Sequence, residues 1–399
     1  MHKYDIIIVG AGIAGLYAYY KLKIIYPEKK ILILEQNKKK YIGGRLGNRK
    51  FYGVRIVNGG GVGRKDKDVI LLKLLNELHF EYHFFESKHQ YEKSLNIVNI
   101  KKIINLLKKY KIPNTTFKIF AENILKKELY KKFVATTGYT DFETQGAQDT
   151  LYNYEFDDMY NSWTGISIYW KELIATLIKK INMKNIHTST KLLKIQNIKN
   201  KYILTTDNRM YKTTHLILAL TANSIKYLFQ NTEKINIYKY INSQPFLRIY
   251  GKFTKKSNII MKELCNIYTV VKPPICKIIP MNSDKGVYMI VYNDNKNAKY
   301  LNKYSDDTEY NRNFLCRLLE KTLNIEKNKL KLKGIKSFYW NEGTHYYKDF
   351  DNDFKNRKQF IKIAQHPYKN MYVVGEMVSN QQGWVEGALE SVENILNKI

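Results

Sequence analysis

The feature that most constrains this chain is a glycine-rich turn between a strand and a helix. The segment IIIVGAGIAGLYAYY (residues 6–20) carries Gly10, Gly12 and Gly15 with the spacing GxGxxG. At this spacing Gly10 permits a tight turn out of the strand and Gly12 lets the backbone approach a pyrophosphate, while Gly15 lets the helix pack closely on the sheet. The free N–H groups of such a helix face phosphates. The sequence therefore predicts a dinucleotide-binding βαβ unit.

The next strand supports this interpretation. ILILE (residues 31–35) ends in Glu35, which follows Gly15 by 20 residues. A carboxylate at this place accepts hydrogen bonds from ribose hydroxyls and repels a 2′-phosphate, so NADP is disfavoured. The motif by itself does not distinguish NAD from FAD.

Two further glycine segments do distinguish them. YIGGRLGNRKF (residues 41–51) contains Gly43, Gly44 and Arg45 and resembles the second glycine motif of the flavin-containing amine oxidase superfamily. The resemblance implies that Arg45 contacts the FAD phosphates. VNGGGVGR (residues 57–64) resembles the segment that passes over the flavin, which implies that Gly60 and Gly61 bind the cofactor.

The end of the chain carries another such motif. MYVVGEMVSNQQGWVEGALESVENIL (residues 371–396) resembles the family's strand, Gly-Glu pair and final helix. The resemblance implies that Gly375 and Glu376 bind the ribityl or pyrophosphate region. It also places Trp384, Val385 and Ala388 at a helix N-terminus that faces the flavin carbonyl O2, where it stabilises the anionic reduced flavin.

Two more segments extend the resemblance along the chain. KLLKI (residues 191–195) resembles the strand whose backbone pairs with the adenine, which implies a contact from Leu192. In amine oxidases two aromatic side chains flank the substrate amine, and Trp384 matches one of them. The other comes from a preceding loop, which YWNEGTHYYKDF (residues 339–350) resembles, so His345 or Tyr346 is the candidate. A surface or packed imidazole is the alternative for His345.

Departures from the family pattern at Thr344 and Arg248 bear on the cofactor and the substrate. Thr344 stands where members with covalent flavin have a cysteine, so we expect non-covalent FAD. FLRIYGKF (residues 246–253) offers Arg248 where the family often has a lysine near flavin N5. An arginine cannot act as a base. Arg248 could polarise N5, hold a substrate carboxylate with two hydrogen bonds, or form a structural ion pair.

An acidic, aromatic segment suggests a second feature of the substrate region. Between Lys132 and Lys171 the chain has no lysine or arginine, although such residues make up 67 of the 399. This segment carries Asp149, Glu155 and the Asp157–Asp158 pair. It is either a site for a cationic substrate such as a polyamine or lysine side chain, or an acidic loop that is solvated or pairs with basic surface elsewhere.

The net charge of +31 has two interpretations. It either indicates a polyanion partner or reflects a nucleotide bias toward Lys, Asn, Ile and Tyr codons, and in both cases non-specific polyanion binding is expected at low salt. The three cysteines lack metal-ligand spacing, so we expect no metal and no disulfide framework.

The location is expected to be cytoplasmic, in the host cytoplasm if the chain is viral. No segment has 18 or more uncharged apolar residues, so no membrane span is expected. The first predicted strand begins at Tyr4, which leaves no room for a signal peptide.

The sequence predicts an α/β fold with a Rossmann-like FAD-binding domain and a substrate domain of mixed β-sheet and helices. The FAD-binding domain is expected to comprise residues 1–75, 183–230 and 355–399, and the substrate domain residues 76–182 and 231–354. The site is expected between them. No oligomeric state is predicted.

The expected function is that of a FAD-dependent oxidoreductase that resembles amine oxidases. A primary or secondary amine, of the polyamine or amino acid class, would become an imine by hydride transfer to flavin N5, and O2 would reoxidise the flavin to give H2O2. One alternative is another oxidoreductase of this fold, like protoporphyrinogen oxidases or desaturases. Another is a catalytically weak flavoprotein that serves as a polyanion-binding or structural protein.

Overall fold

The computed structural model describes residues 2–230, 232, 235–351 and 353–399. The five remaining positions within the predicted domain ranges lie outside the described residues. The strands are β1 (His2–Val9), β2 (Ile31–Leu34), β3 (Asn48–Phe51), β4 (Val54–Val57), β5 (Gly63–Arg64), β6 (His83–Ser87), β7 (His89–Tyr91), β8 (Trp163–Ser167), β9 (Ile186–His187), β10 (Leu192–Ile198), β11 (Lys201–Thr206), β12 (Met210–Leu218), β13 (Ile241–Phe253), β14 (Tyr268–Val270), β15 (Lys277–Asn282), β16 (Val287–Asp294), β17 (Leu332–Tyr347) and β18 (Met371–Val373).

The helices connect these strands and cover the sheets. They are α1 (Ile13–Ile25), α2 (Val69–Glu77), α3 (Ile100–Leu107), α4 (Phe117–Thr137), α5 (Ala147–Asn153), α6 (Trp170–Ile181), α7 (Ala222–Leu228), α8 (Ile235–Tyr238), α9 (Lys255–Leu264), α10 (Asn295–Asn302), α11 (Glu309–Thr322), α12 (Arg357–Ala364) and α13 (Val385–Leu396).

The first sheet is the predicted Rossmann-like sheet. Its parallel strands lie in the order β9, β2, β1, β12 and β18, and an antiparallel hairpin of β10 and β11 extends it from β12. The near-continuous apolar runs of β1 and β2 are buried because helices cover both faces. On one face α1, α2, α6 and α13 pack around residues such as Ile8 and Ile33.

The second sheet has six strands in the order β17, β13, β16, β15, β14 and β7. Its strands are antiparallel except for the β14–β7 pair. The register of β13 on β17 shifts between Gln244, which faces Thr344, and Phe246, which faces Trp340. Pro245 lies at this shift and has no N–H to donate, so β17 bulges outward around Gly343. The bulge sets the direction of every side chain that follows it on β17.

Most elements lie where the sequence predicts them, and two differ. Residues 339–347 were expected to form a loop, but they are the second half of β17, the longest described strand. The longer pairing with β13 stabilises this extended conformation. Helix α6 falls in the range predicted for the substrate domain, yet Trp170, Leu173 and Leu177 are buried in the core beneath the Rossmann-like sheet. The apolar face of α6 therefore belongs with the first sheet.

The segment between the two sheets is helical. Helices α3, α4 and α5 share an aromatic core that includes Phe117, Phe133, Phe142 and Phe156. The aromatic cluster fixes the acidic segment that follows α4 against the second sheet, where Asn295 donates a hydrogen bond to the Thr140 carbonyl at 2.8 Å. No helix of the described residues is both long and apolar enough to cross a membrane.

Candidate active site

A cavity of about 690 Å³ lies at the carboxyl ends of the parallel strands, where open α/β sheets bind their ligands. We call it the nucleotide cavity. Its volume is typical of cofactor sites, which occupy roughly 300–1,000 Å³. The predicted cofactor residues that line it are Gly10, Gly12, Glu35, Gly43, Gly44, Arg45, Gly60, Leu192, Gly375, Glu376, Trp384, Val385 and Ala388.

Two predicted cofactor residues do not line this cavity. Gly15 packs inside the βαβ unit, where an added Cβ would lie 1.9 Å from the carbonyl oxygen of Gly10. This contact agrees with the packing function that its motif position implies. Gly61 lines a neighbouring cavity instead.

The carboxylate of Glu35 is held at the cavity wall by the backbone around it. Its Oε2 accepts the N–H of Ala11 at 2.8 Å, and its Oε1 accepts the N–H and the amide of Asn37 at 2.8 and 2.9 Å. A carboxylate offers roughly four acceptor positions, so a ribose hydroxyl can still donate to Oε2.

The second glycine motif packs against the first. The N–H of Gly43 donates to the Ala11 carbonyl at 2.8 Å, and a Cβ on Gly44 would lie 3.5 Å from the Cα of Gly12. Gly43 and Gly44 have φ angles of +103° and +59°, which side-chain-bearing residues rarely adopt. A Cβ on Gly12, in contrast, would meet nothing within 4 Å. The space in front of Gly12 and the uncapped N-terminus of α1 therefore fit a pyrophosphate.

A buried charge cluster joins Arg45, Glu376 and His345. Oε1 of Glu376 accepts a hydrogen bond from Arg45 Nη1 at 2.7 Å and lies 2.5 Å from Nδ1 of His345. The Gly383 N–H donates to Oε2 at 3.1 Å. Burial acts to raise the pKa of Glu376, but the charges of His345 and Arg45 outweigh it and hold that pKa well below its usual range. The cluster ties β17, the Gly43–Arg45 motif and the start of α13 together.

The N-terminus of α13 points into the nucleotide cavity, as the resemblance implies. Its N-cap residue Trp384 and the following Val385 line the cavity, and Trp384 makes no capping hydrogen bond. The acidic residue of the first turn, Glu386, turns away from the cavity and accepts the N–H groups of Ile70 and Leu71 at 2.7 and 2.9 Å. Glu386 thus caps α2 and leaves the N–H groups of its own helix free for a ligand.

A second cavity of about 250 Å³, which we call the aromatic cavity, adjoins the first. The two share the wall formed by Arg45, Gly60, Trp340, Gly343, Gly383, Trp384 and Val385. Its aromatic lining residues are Tyr91, Tyr139, Tyr154, Trp163, Phe246, Tyr268, Tyr292, Phe338, Trp340 and Trp384. A planar ring system held in the nucleotide cavity would reach the aromatic cavity at this shared wall.

The candidates for the second aromatic wall need correction. His345 lines the aromatic cavity, but its ring is buried, with Nδ1 beside Glu376 and Nε2 at 3.2 Å from the backbone nitrogen of Ala222. Burial acts to lower the pKa of His345, but Glu376 and Glu342 outweigh burial and raise it. Tyr346 lines neither cavity, because successive side chains of β17 point to opposite faces.

Trp340 is the residue that the sequence analysis missed. It lies on the shared wall with Trp384, and its indole N–H donates to the carbonyl of Asn58 at 2.5 Å. It stands within the segment that was compared with the family's aromatic loop, but only the bulge at Gly343 shows that Trp340, not Tyr346, faces the cavities. Trp384 is itself held by the guanidinium of Arg64, 3.9 Å from its ring centroid.

The acidic segment is neutralised inside the protein. Glu155 and Asp158 pair with Arg64 at 2.5 and 2.9 Å, and Lys67 pairs with Asp157 and Asp158. Asp149 pairs with Arg357 at 3.1 Å. The interpretation in which the acids pair with basic residues elsewhere is therefore supported, and these carboxylates are not free to bind a cationic substrate.

A buried ionisable cluster lies behind the aromatic lining. Tyr154 donates its hydroxyl hydrogen to Asp141, and burial raises the pKa of Asp141 to about 7. Lys277 lies 2.9 Å above the ring centroid of Tyr139, and burial lowers its pKa to about 8. The Nζ of Lys277 is buried and has no hydrogen-bond partner among the described residues. This cluster was not detected from the sequence, because Lys277 is distant in the chain from Tyr139, Asp141 and Tyr154.

Arg248 extends from β13 into the aromatic cavity. It is 8% exposed, and its guanidinium lies 4.6 Å from the ring centroid of Tyr292. In the described part of the chain no carboxylate lies within 4.0 Å of it, so the structural ion pair considered above is not present. Its Nη2 would be 3.5 Å from a Cβ on Gly61, next to the shared wall.

Comparison with known families identifies this arrangement. The sequence profile of flavin containing amine oxidoreductases matches residues 124–393, more than half of the chain. The chain belongs to this family. A NAD(P)-binding Rossmann-like domain profile matches residues 8–68, which contain the first two glycine motifs. The family resemblance and the α/β fold predicted from the sequence are confirmed, and membership implies an oxidoreductase with a flavin cofactor.

Solved structures show how widely this oxidoreductase shares its fold. Cyclohexylamine oxidase from Brevibacterium oxydans aligns with a TM-score of 0.76 at 14% identity, over 99% of this chain and 98% of the other. Putrescine oxidase bound to putrescine gives 0.75 at 12% identity, with the same coverage. A putative protoporphyrinogen oxidase from Exiguobacterium gives 0.70 at 13% identity, over 100% and 98%. These likenesses concern the fold and leave the substrate open.

A viral protein resembles this oxidoreductase in sequence. An uncharacterized protein of Acanthamoeba polyphaga mimivirus is 22% identical, over 99% of this chain and 93% of its own length. Within the described residues, no group of three or more His, Cys, Asp or Glu side chains is placed to hold a metal ion.

Proposed function

We propose that the protein is an amine oxidase that binds FAD without a covalent bond in the nucleotide cavity and oxidises an amine in the aromatic cavity. The observation that carries this proposal is the shared wall, where Trp340 and Trp384 stand between the two cavities. The domain division predicted from the sequence is part of the proposal, with α6 transferred to the FAD-binding domain.

When bound, FAD would supply a two-electron oxidation of the amine, with O2 as the final acceptor and H2O2 as the reduced product. The amine becomes an imine, which water hydrolyses. The residues of this chain would supply position and charge. Gly12 and the N-terminus of α1 would face the pyrophosphate, Glu35 the adenosine ribose, and the N-terminus of α13 the flavin carbonyl O2.

The absence of a covalent link is proposed from the residues around the shared wall. Thr344 lies beside Gly383, with its Cγ2 3.3 Å from a Cβ built there, and a threonine hydroxyl does not form a thioether. The three cysteines, Cys265, Cys276 and Cys316, are buried and line neither cavity. Acid denaturation should therefore release all of the FAD into the supernatant.

The test is an absorbance spectrum of the purified protein, followed by anaerobic mixing with an amine panel. The panel contains spermine, spermidine, putrescine, lysine and aromatic amines. A yellow protein that is bleached by at least one amine supports the proposal. A yellow protein that no amine bleaches favours another oxidation or a binding role, and a colourless protein that cannot be reconstituted with FAD contradicts the cofactor assignment.

A protoporphyrinogen oxidase or desaturase activity is the second candidate, and the putative protoporphyrinogen oxidase of the same fold is the observation that favours it. Such substrates are large, and the aromatic cavity of about 250 Å³ is small for them. Its volume favours a smaller amine substrate.

A further inference from the structure

Most charged groups that line the aromatic cavity form ion pairs with other described residues. Arg45 pairs with Glu376 at 2.7 Å, and Arg357 pairs with Asp149 at 3.1 Å. The carboxylates of Glu155 and Asp158 pair with Arg64. Arg248 is the third arginine of the lining, and in the described residues it has no carboxylate within 4.0 Å.

A buried guanidinium without an anion is costly. Moving a charge out of water is unfavourable unless a partner compensates, and an arginine cannot escape this cost by losing its proton. The ring of Tyr292 and the hydroxyls of Tyr250 and Tyr292 compensate this cost only in part, because neutral tyrosines carry no negative charge. The described residues therefore supply no anion for this guanidinium.

A second buried cation near Arg248 increases the excess of positive charge in this part of the cavity. Lys277 lies 4.7 Å from the ring centroid of the same Tyr292, so two cations share one aromatic ring. The carboxyl group that lines this part of the cavity is Asp141, which already accepts a hydrogen bond from Tyr154. Burial raises the pKa of Asp141 to about 7, which weakens it as a counter-charge near neutral pH.

The position of Arg248 indicates which kind of anion it binds. Arg248 lies beside Gly61, one residue from Gly60 on the wall that the two cavities share. An anionic group on Arg248 would therefore lie next to the carbon that the proposed reaction oxidises at that wall. The planar guanidinium fits a carboxylate with two parallel hydrogen bonds. We propose that Arg248 binds the carboxylate of the substrate, and that the substrate is an amino acid rather than a simple amine or a polyamine.

This inference rests on the proposed amine oxidation and narrows its substrate class. A zwitterionic substrate brings the anion that Arg248 lacks, and its ammonium group can lie against the faces of Trp340 and Trp384. A polyamine brings only positive charge into a cavity whose acids already have ion-pair or hydrogen-bond partners. The remaining lining, from Tyr139, Tyr154 and Tyr268, would surround the side chain of the amino acid.

The test compares substrates that differ by one carboxylate. The pairs are L-lysine and cadaverine, L-ornithine and putrescine, L-tyrosine and tyramine, L-phenylalanine and phenethylamine, and L-tryptophan and tryptamine. The FAD-loaded enzyme should show a kcat/KM at least about 100-fold higher for the amino acid in at least one pair. An enzyme that turns over the amine of each pair as fast as the amino acid overturns the inference and leaves the proposed amine oxidation standing.

Variants assign this preference to Arg248. Arg248→Met should lower the ratio of kcat/KM between amino acid and amine about 100-fold, and Arg248→Lys should restore part of it, because a lysine keeps the charge but loses the paired hydrogen bonds. Arg317→Met is the matched control, since Arg317 is exposed on α11 and its loss changes the net charge equally. An equal loss for both members of each pair would place Arg248 on the cofactor and contradict the inference.

A binding measurement decides the inference even if no amine is oxidised. Carboxylates without an amino group, such as 3-phenylpropionate and hexanoate, should raise the melting temperature of the enzyme and shift its flavin spectrum. The corresponding alcohols should not. Loss of this response in Arg248→Met but not in Arg317→Met supports the carboxylate site, and a response that is equal in both variants overturns it.

Discussion

At the scale of single residues, the glycines of the first motif have different neighbours. A Cβ on Gly12 would enter the open nucleotide cavity, whereas a Cβ on Gly15 would lie 1.9 Å from the Gly10 carbonyl oxygen. The same motif therefore contains one position that limits ligand approach and one that limits helix packing. Two alanine substitutions three residues apart separate these effects.

We expect Gly12→Ala to lower the affinity for FAD at least about tenfold, or about 1.4 kcal/mol, with little change in the stability of the flavin-free protein. Gly12 has a φ of −74°, which alanine adopts without strain. Gly15→Ala should lower the free energy of unfolding of the flavin-free protein by about 1–3 kcal/mol, because α1 must move away from β1. FAD titration and urea unfolding of both variants measure the two effects. Equal stability losses in the two variants would contradict this distinction.

At the scale of elements, side chains near the starts of α2 and α13 stabilise each other's helix. Glu386 lies in the first turn of α13 but caps the N-terminus of α2 through the N–H groups of Ile70 and Leu71. Asp68, the N-cap residue of α2, instead pairs with Arg64, whose guanidinium covers Trp384. The two helix starts therefore depend on each other. Glu386 of α13 caps α2, and Asp68 at the start of α2 holds Arg64 against Trp384 at the start of α13.

Replacing Glu386 with alanine tests whether α2 depends on this cap from α13. The variant leaves two N–H groups at the start of α2 without their acceptor and should lower the free energy of unfolding by about 1–2 kcal/mol. Asn394→Ala is the control, because Asn394 is exposed on the same helix. Urea unfolding of the three proteins gives the comparison. A loss no larger than that of the control would show that α2 does not depend on this cap.

At the scale of the whole molecule, part of the excess positive charge lies away from the two cavities. It surrounds a surface depression lined by Lys118, Lys127, Lys131, Lys132, Lys272 and Lys296. Three acidic residues, Glu122, Glu128 and Glu143, also line it. Such a surface attracts polyanions through counterion release and carries no sequence preference.

We expect the protein to bind short DNA of any sequence at about 50 mM salt and to lose most of this affinity by about 200 mM salt. Fluorescence anisotropy over a salt series measures the slope of log K against log salt concentration. The double variant Lys127→Glu and Lys132→Glu should make the slope less steep. Tight binding that survives 200 mM salt, or a preference for one sequence, would instead indicate a specific nucleic-acid partner.

The nucleotide-binding half of this protein could be predicted from short segments of the chain. Gly10, Gly12, Gly15 and Glu35 act through backbone turns and strand ends that lie close together in the chain. Local spacing fixes such geometry, because a strand, a tight turn and a helix N-terminus each depend on a few consecutive residues. The family motifs around Arg45 and Glu376 could be identified in the sequence for the same reason.

The lining of the aromatic cavity, in contrast, depends on contacts between distant parts of the chain. Which residue of β17 faces it depends on a bulge opposite Pro245, and a shift of one residue exchanges Trp340 and His345 for their neighbours. Whether the acids near Asp158 were free depended on Arg64 and Lys67, about ninety residues earlier in the chain. The isolation of Arg248 is likewise a property of everything around it. Pairing of charges and the facing of side chains arise from contacts between distant segments, and local sequence does not encode those contacts.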